Sequence, residues 1–142
     1  MASDMEKMLR DWVEAENSQD VDKFASFYTD DGVWEDVALG LVNRGKKEVK
    51  AYFKAMFAAF PDLRFEVQSV FVAGDWGVCE WLMTGTHAGD FPGVPSTGGK
   101  SFSVRGVSVI QLHNGKISRN SDYWNMATLL QQVSYMAGVP TK

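Results

Sequence analysis

Three segments within the first sixty residues carry apolar side chains at the three- and four-residue spacing of helices. Ser3 and Glu6 form a capping-box pattern, which predicts a first helix that ends near Asn17. A shorter helix is predicted from about Asp20, and a third over 46–60, where Pro61 stops it. The apolar stripe of the third helix consists of Val49, Tyr52, Phe53, Met56, Phe57 and Phe60.

The other segments alternate between apolar and polar residues, which is the period of strands. One such segment, 32–38, places Trp34 and Asp36 on the same face. Four more strands are predicted over 63–73, 76–88, 100–113 and 116–124, followed by a helix over 126–136. Asn114-Gly115 predicts a two-residue turn between the last two strands. Helices followed by strands indicate one α+β domain over residues 1–142, with its helices on one side of an antiparallel sheet.

The composition is that of a globular domain rather than of a nucleic-acid or membrane protein. A chain of 142 residues buries roughly 68–70% of its unfolded surface, so a core and a pocket form without metals or disulfides. The net charge of −4 lacks the clustered Lys and Arg that phosphate binding needs. The sequence shows no signal-type apolar region and no run of about 20 apolar residues. It contains one cysteine, Cys79. We therefore expect a cytoplasmic protein with no membrane contact.

Four pieces of the chain, in order, resemble one family. Residues 84–98, TGTHAGDFPGVPSTG, are similar to the loop TGTHxGxFxGxPPTG of the SnoaL-like polyketide cyclases. The pieces NGKI at 114–117, DYWN at 122–125 and LLQQ at 129–132 are similar to the ending dGKI…D…LLQQLG of the same family. In addition, residues 28–36, YTDDGVWED, are similar to the segment of ketosteroid isomerases that carries their general base, here Asp36.

This resemblance implies the cone-shaped fold of the nuclear transport factor 2-like superfamily. In that fold a strongly curved, mixed or antiparallel sheet and its helices enclose one apolar pocket. Activities among the relatives include ring closure, double-bond isomerisation and epoxide hydrolysis, all without a cofactor or metal. The resemblance thus implies a cyclase, isomerase or hydrolase acting on a small apolar carbonyl or epoxide compound, and a homodimer. A non-catalytic module that binds a small molecule is the alternative, and a pure association domain is a third.

Asp122 is the first candidate for the chemistry, because it matches the aspartate that acts as acid and base in the cyclases. A carboxylate in an apolar cavity has a raised pKa and exchanges protons near neutrality. With the two-residue turn, Asp122 opposes Val107 and has Arg105 diagonally on the same face, where an ion pair would lower the pKa. A single β-bulge would instead place Ser108 beside Asp122. The sequence leaves both registers open.

His87 matches the histidine of the GTH motif and is predicted to assist proton exchange, with a structural histidine as the equal alternative. Trp34, Trp81 and Trp124 are predicted to shape the cavity. Asp36 shares a face with Trp34, so both enter the pocket or both face outward.

At two positions the sequence differs from the functional residues of the two families, and both differences affect the expected chemistry. Ser108 stands where SnoaL-type cyclases have a second functional histidine and near the neutral acid of the isomerases. Trp12 stands where the isomerases have an oxyanion-binding tyrosine. Steroid isomerisation is therefore disfavoured, and the binding-module alternative gains weight. The Gly- and Pro-rich segment 89–99 is predicted to form a rim or lid over the pocket.

Overall fold

The computed structural model describes residues 3–90, 95–96 and 98–134. They form four helices and six strands, and the sequence pattern predicted all of these except β2. In chain order the elements are α1 (Asp4–Asn17), α2 (Val21–Ala25), β1 (Tyr28–Asp36), β2 (Leu41–Arg44), α3 (Gly45–Ala59), β3 (Arg64–Ala73), β4 (Trp76–Thr86), β5 (Ser101–His113), β6 (Lys116–Trp124) and α4 (Met126–Gln132).

The six strands form one curved, open sheet in the order β2-β1-β6-β5-β4-β3. The predicted antiparallel meander is present in β3 to β6. β1 joins the sheet beside β6 in a parallel pairing, so the sheet is mixed. The short β2 pairs antiparallel with β1 at the edge. It escaped the sequence pattern because four residues are too few to show a period of two.

The turn between β5 and β6 decides which residues face each other across the site. Asn114 and Gly115 both have positive φ, 50° and 76°, as a two-residue hairpin turn of this kind requires. A register shift lies between Gln111 and Leu112. It brings Ser108, not Val107, opposite Asp122. Of the two registers left open by the sequence, the structure has the bulged one.

The helices are held by caps and by one clamp to the sheet. Ser3 Oγ accepts the N–H of Glu6 at 3.1 Å, so the predicted cap begins α1. At the other end, the amide of Asn17 donates to Phe65 O at 2.9 Å and accepts from Phe65 N at 2.7 Å. This pair of hydrogen bonds ties the last turn of α1 to the first residues of β3. The last helix ends at Gln132 and residues 133–134 form a turn, so the predicted span of 126–136 was too long. Its last two residues, 135–136, lie outside the described part.

The core lies between the concave face of the sheet and helices α1 to α3. Its centre is a cluster of aromatic rings, in which Phe24 and Phe53 lie 4.5 Å apart and Trp34 and Phe53 5.0 Å apart. In β4 the alternate residues Gly77, Cys79, Trp81, Met83 and Gly85 are buried. No helix of the described residues has the length and apolar character needed to cross a membrane.

Candidate functional site

A cavity opens between the concave face of the sheet and the helices. It measures about 430 Å³ with its mouth included, and about 20 Å³ of this admits the centre of a water molecule. Such a space holds about one water, so a larger ligand requires side chains to move. Three of its lining side chains are carboxyls, Glu16, Asp36 and Asp122, and none of the described lining residues is Lys or Arg. The aromatic lining consists of Trp34, Phe53, Phe60, Phe65, Trp81, Phe102 and Trp124.

Asp122 is held by two hydrogen bonds to one of its oxygens. Ser108 Oγ donates to Asp122 Oδ1 at 2.6 Å, and Asn120 Nδ2 donates to the same atom at 2.8 Å. Trp81 Nε1 donates to Ser108 Oγ at 2.9 Å. Because an indole N–H only donates, Ser108 must accept from Trp81, which directs its own hydrogen at Asp122. With Oδ1 already accepting twice, a proton taken up by this carboxylate belongs on Oδ2.

The pKa of Asp122 lies well above the ordinary range of an aspartate. Burial raises it to about 7, and the charge of Asp36 adds to the rise. The hydrogen bonds from Ser108 and Asn120 oppose this, with a smaller one from Trp34, because they favour the charged form. Asp122 therefore exchanges its proton near neutral pH, as a general acid or base requires.

Trp81 reaches Ser108 because the residue opposite it is glycine. Trp81 pairs with Gly106 across β4 and β5. A Cβ atom on Gly106 would lie 2.3 Å from Cη2 of the Trp81 ring, closer than atoms approach. The absence of a side chain thus lets the indole lie over β5. The sequence contained this glycine, but only the strand register reveals what it faces.

Asp36 lies directly beside Asp122 on the neighbouring strand. The parallel pairing of β1 and β6 matches the two residues, and both side chains line the cavity together with Trp34. Trp124 Nε1 donates to Asp36 Oδ2 at 2.9 Å, and Leu39 N donates to Oδ1 at 2.9 Å. Burial raises the pKa of Asp36, although these hydrogen bonds oppose the rise. With both oxygens engaged, Asp36 is a positioned neighbour of Asp122 and less free to take a proton.

Glu16, in the last turn of α1, is a lining residue that the sequence reasoning missed. Its side chain is 9% exposed and faces the same cavity. Burial, then the nearby charge of Asp122, raises its pKa well above the usual value. The signal was its helical spacing from the buried residues Leu9, Trp12 and Val13, but a glutamate at a helix end is ordinarily solvated.

Arg105 lies on the other face of β5 from Ser108. It is exposed and lines a surface depression together with Gln68, Glu80 and Val107, among others. In the described part of the chain it forms no ion pair with Asp122. The reason is the bulge, because a one-residue shift exchanges the faces of the two strands relative to each other. The diagonal pair of the regular register does not form.

The matches to known proteins agree with this geometry. The family model of the SnoaL-like polyketide cyclases matches residues 6–133. The chain belongs to this family. A search of curated proteins finds no match.

Solved structures share the ketosteroid isomerase-like fold of the nuclear transport factor 2-like class. One is a ketosteroid isomerase-like protein from Catenulispora acidiphila in complex with trimethylamine, with TM-score 0.81 and 18% identity, covering 94% of this chain and 98% of that one. AclR, a candidate hydroxylase from Streptomyces galilaeus, has TM-score 0.79 and 26% identity, covering 96% and 84%. A candidate SnoaL-like polyketide cyclase from Shewanella putrefaciens has TM-score 0.84 and 14% identity, covering 96% and 100%.

In this SnoaL-like protein His87, the histidine of the GTH motif, is 1% exposed and is not among the described lining residues. Its ring stacks on Phe60, with centroids 5.8 Å apart, and Phe60 lines the cavity. Its backbone accepts from Ser96 Oγ at 2.8 Å and donates to Lys100 O at 2.9 Å. The structure therefore places His87 against the wall of the cavity, where it anchors the segment after β4. Five of the eleven residues of the predicted rim, 91–94 and 97, lie outside the described residues.

Proposed function

We propose that this SnoaL-like protein is a cofactor-independent enzyme that moves a proton on a small apolar carbonyl compound, with Asp122 as the acid and base. The observation that carries the proposal is the state of Asp122: a cavity-lining carboxylate with a pKa of about 7 and no described cation beside it. The cavity is narrow and mostly apolar, which favours a small, uncharged substrate.

The geometry supports a step in which Asp122 breaks a C–H bond next to a carbonyl. The ionised carboxylate takes the hydrogen on Oδ2 as a proton, and the electron pair of the C–H bond moves to the carbonyl oxygen as an enolate. In a β,γ-unsaturated ketone, return of the proton to the γ-carbon moves the double bond into conjugation. In a compound with a second carbonyl, attack of the enolate carbon on that carbonyl closes a ring, and the alkoxide that forms takes the proton back from Asp122. Ser108 and Asn120 keep the carboxylate in one orientation throughout. Such a positioned base contributes a rate enhancement of about 10²- to 10⁴-fold.

Exchange of hydrogen for deuterium tests this step without knowledge of the natural substrate. Cyclohexanone in deuterated buffer at neutral pH is followed by proton NMR, which reports loss of the α-hydrogens. We expect the wild-type protein to accelerate exchange and Asp122→Asn to remove the acceleration. Asp75→Asn, at the exposed turn between β3 and β4, is the matched control and keeps it. Equal rates with wild type and Asp122→Asn would exclude Asp122 as the base.

A second candidate is a module that binds a small organic cation without turnover. Three carboxyls and several aromatic faces line one cavity, which is the combination that recognises methylated ammonium groups. The Catenulispora acidiphila protein of the same fold was solved with trimethylamine. In this candidate the ligand supplies the positive charge that the described lining lacks.

The pH dependence of binding separates the two candidates. A cation stabilises ionised Asp122, so the affinity for tetramethylammonium would rise as pH increases through about 7. Neutral cyclohexanone would show no such rise. Calorimetric titrations of both ligands at pH 6 and pH 8 make the comparison. A cation affinity that is the same at both pH values would rule out the second candidate.

A further inference from the structure

The cavity contains a carboxyl that the proposed proton transfer does not use. Glu16 is 9% exposed, and its side chain lines the cavity. In the part of the chain that the structure describes, no residue donates a hydrogen bond to this carboxyl or forms an ion pair with it. By contrast, Asp36 and Asp122 both accept hydrogen bonds from neighbouring side chains. A buried polar group that lacks a protein partner and faces a cavity is available to a ligand.

The position of Glu16 is held firmly by its neighbours. The adjacent Asn17 makes two hydrogen bonds with the backbone of Phe65, at 2.9 and 2.7 Å, which tie this turn of α1 to the sheet. The side chain extends from the same helix face as Trp12 and Val13, both buried. The carboxyl is therefore held by secondary structure and not by a loop.

Three features of this place favour the neutral carboxylic acid. The surroundings are apolar, the ionised Asp122 faces the same cavity, and the C-terminal end of a helix carries a partial negative charge. Each makes a second negative charge unfavourable. A neutral carboxylic acid donates one hydrogen bond, whereas a carboxylate only accepts.

We infer that Glu16 is a second functional acid of the cavity, which donates its O–H to the carbonyl oxygen of a ligand while Asp122 removes the neighbouring hydrogen. The inference rests on the proposed function and names its substrate class, an enolisable ketone or aldehyde. As the C–H bond breaks, negative charge develops on the carbonyl oxygen, and the hydrogen bond from Glu16 strengthens while its proton stays on the carboxyl. Donors aimed at a developing oxyanion in a site of low polarity are a large source of catalysis.

Two probes of similar shape test the hydrogen bond apart from the reaction. Cyclohexanone offers a carbonyl oxygen, and methylenecyclohexane offers a CH₂ group in its place. Binding is followed in NMR titrations through the methyl groups of Met56 and Met83, which line the cavity. The ¹³C shift of the bound ketone's carbonyl reports the hydrogen bond directly.

Three variants make the comparison specific. Glu16→Met keeps the length of the side chain and removes the donor, Glu16→Gln keeps an N–H donor, and Glu66→Met changes an exposed glutamate of β3 as the control. We expect Glu16→Met to lower the affinity for cyclohexanone about tenfold and to leave the affinity for methylenecyclohexane unchanged. Glu16→Gln keeps ketone affinity within about threefold. The bound carbonyl moves downfield with wild type and loses this shift with Glu16→Met.

Several results would overturn the inference. The inference fails if Glu16→Met lowers the affinity for both probes equally or leaves the affinity for the ketone unchanged. It also fails if the wild-type protein does not bind the ketone. Near-ultraviolet circular dichroism confirms folding, which Glu16→Met favours because it removes an unpartnered buried carboxyl. The deuterium exchange with Asp122→Asn separates this inference from the proposed function. Deuterium exchange that survives in Asp122→Asn refutes Asp122 as the base. A loss of affinity with Glu16→Met that is confined to the ketone still establishes Glu16 as a hydrogen-bond donor.

Discussion

The hydrogen bond from Ser108 to Asp122 sets how readily the carboxylate ionises, and Ser108→Ala measures it. The 2.6 Å bond stabilises the charged form and opposes the effect of burial. A hydrogen bond to a charged group is worth about 1.5–3 kcal/mol, and one pKa unit corresponds to about 1.4 kcal/mol. The substitution therefore raises the pKa of Asp122 by about one to two units. At pH 7 the ionised fraction falls about five- to fiftyfold from about one half.

A ¹³C NMR titration of the aspartate carboxyls in wild type and Ser108→Ala reads this shift directly. The deuterium exchange of cyclohexanone gives a second readout, since its rate at pH 7 falls by the same factor and recovers at higher pH. Ser103→Ala, at an exposed position of the same strand, is the control and leaves the pKa in place. A pKa of Asp122 that stays or falls in Ser108→Ala would refute the assignment of this bond. The variant is also less stable by about 1–3 kcal/mol, because Trp81 Nε1 loses its acceptor.

Three further predictions concern stability and assembly. Asp122 keeps its proton up to about pH 7 in the folded state but loses it near pH 4 when unfolded, so the free energy of unfolding falls as the pH rises from about 4 to 7. In urea titrations at pH 5 and pH 8, Asp122→Asn reduces this fall, and an identical fall in wild type and variant would contradict the raised pKa. Gly106→Ala forces the Trp81 ring to move and lowers stability by about 1–3 kcal/mol in thermal denaturation, whereas an unchanged melting temperature would show that the ring has room. The expected homodimer stays a proposal; if the exposed Trp76 and Tyr123, which flank one groove, lie in its interface, Trp76→Asp shifts the mass in light scattering to that of a monomer, and a dimer that persists would place the interface elsewhere.

The sequence predicted most of the helices and strands because each has a local signal. The apolar stripe of α3, the alternation of β4 and the Asn114-Gly115 turn all depend on neighbours within a few residues. The parallel pairing of β1 with β6 has no such signal, because it joins segments more than 80 residues apart. The same holds for β2, which exists as a strand only through its partner β1.

The candidate site was predictable only in part, for the same reason. The family motif indicated Asp122, and the alternation of β1 placed Asp36 and Trp34 on one face, where both line the cavity. The partner of Asp122 depended on a single bulge that the residue pattern did not reveal. Glu16 was missed because its helix, taken alone, gives no reason to bury a charge.

Taken by itself, the sequence determined the order of the elements other than β2, the family and the candidate aspartate, Asp122. These follow from periodicity and from a motif, which are properties of the chain. Only the tertiary structure decided that Asp122 pairs with Ser108, that Arg105 faces solvent, and that Glu16 enters the same cavity. Protonation and pairing depend on which distant segments exclude water from a group and which charges they bring near it, and only the folded chain determines both.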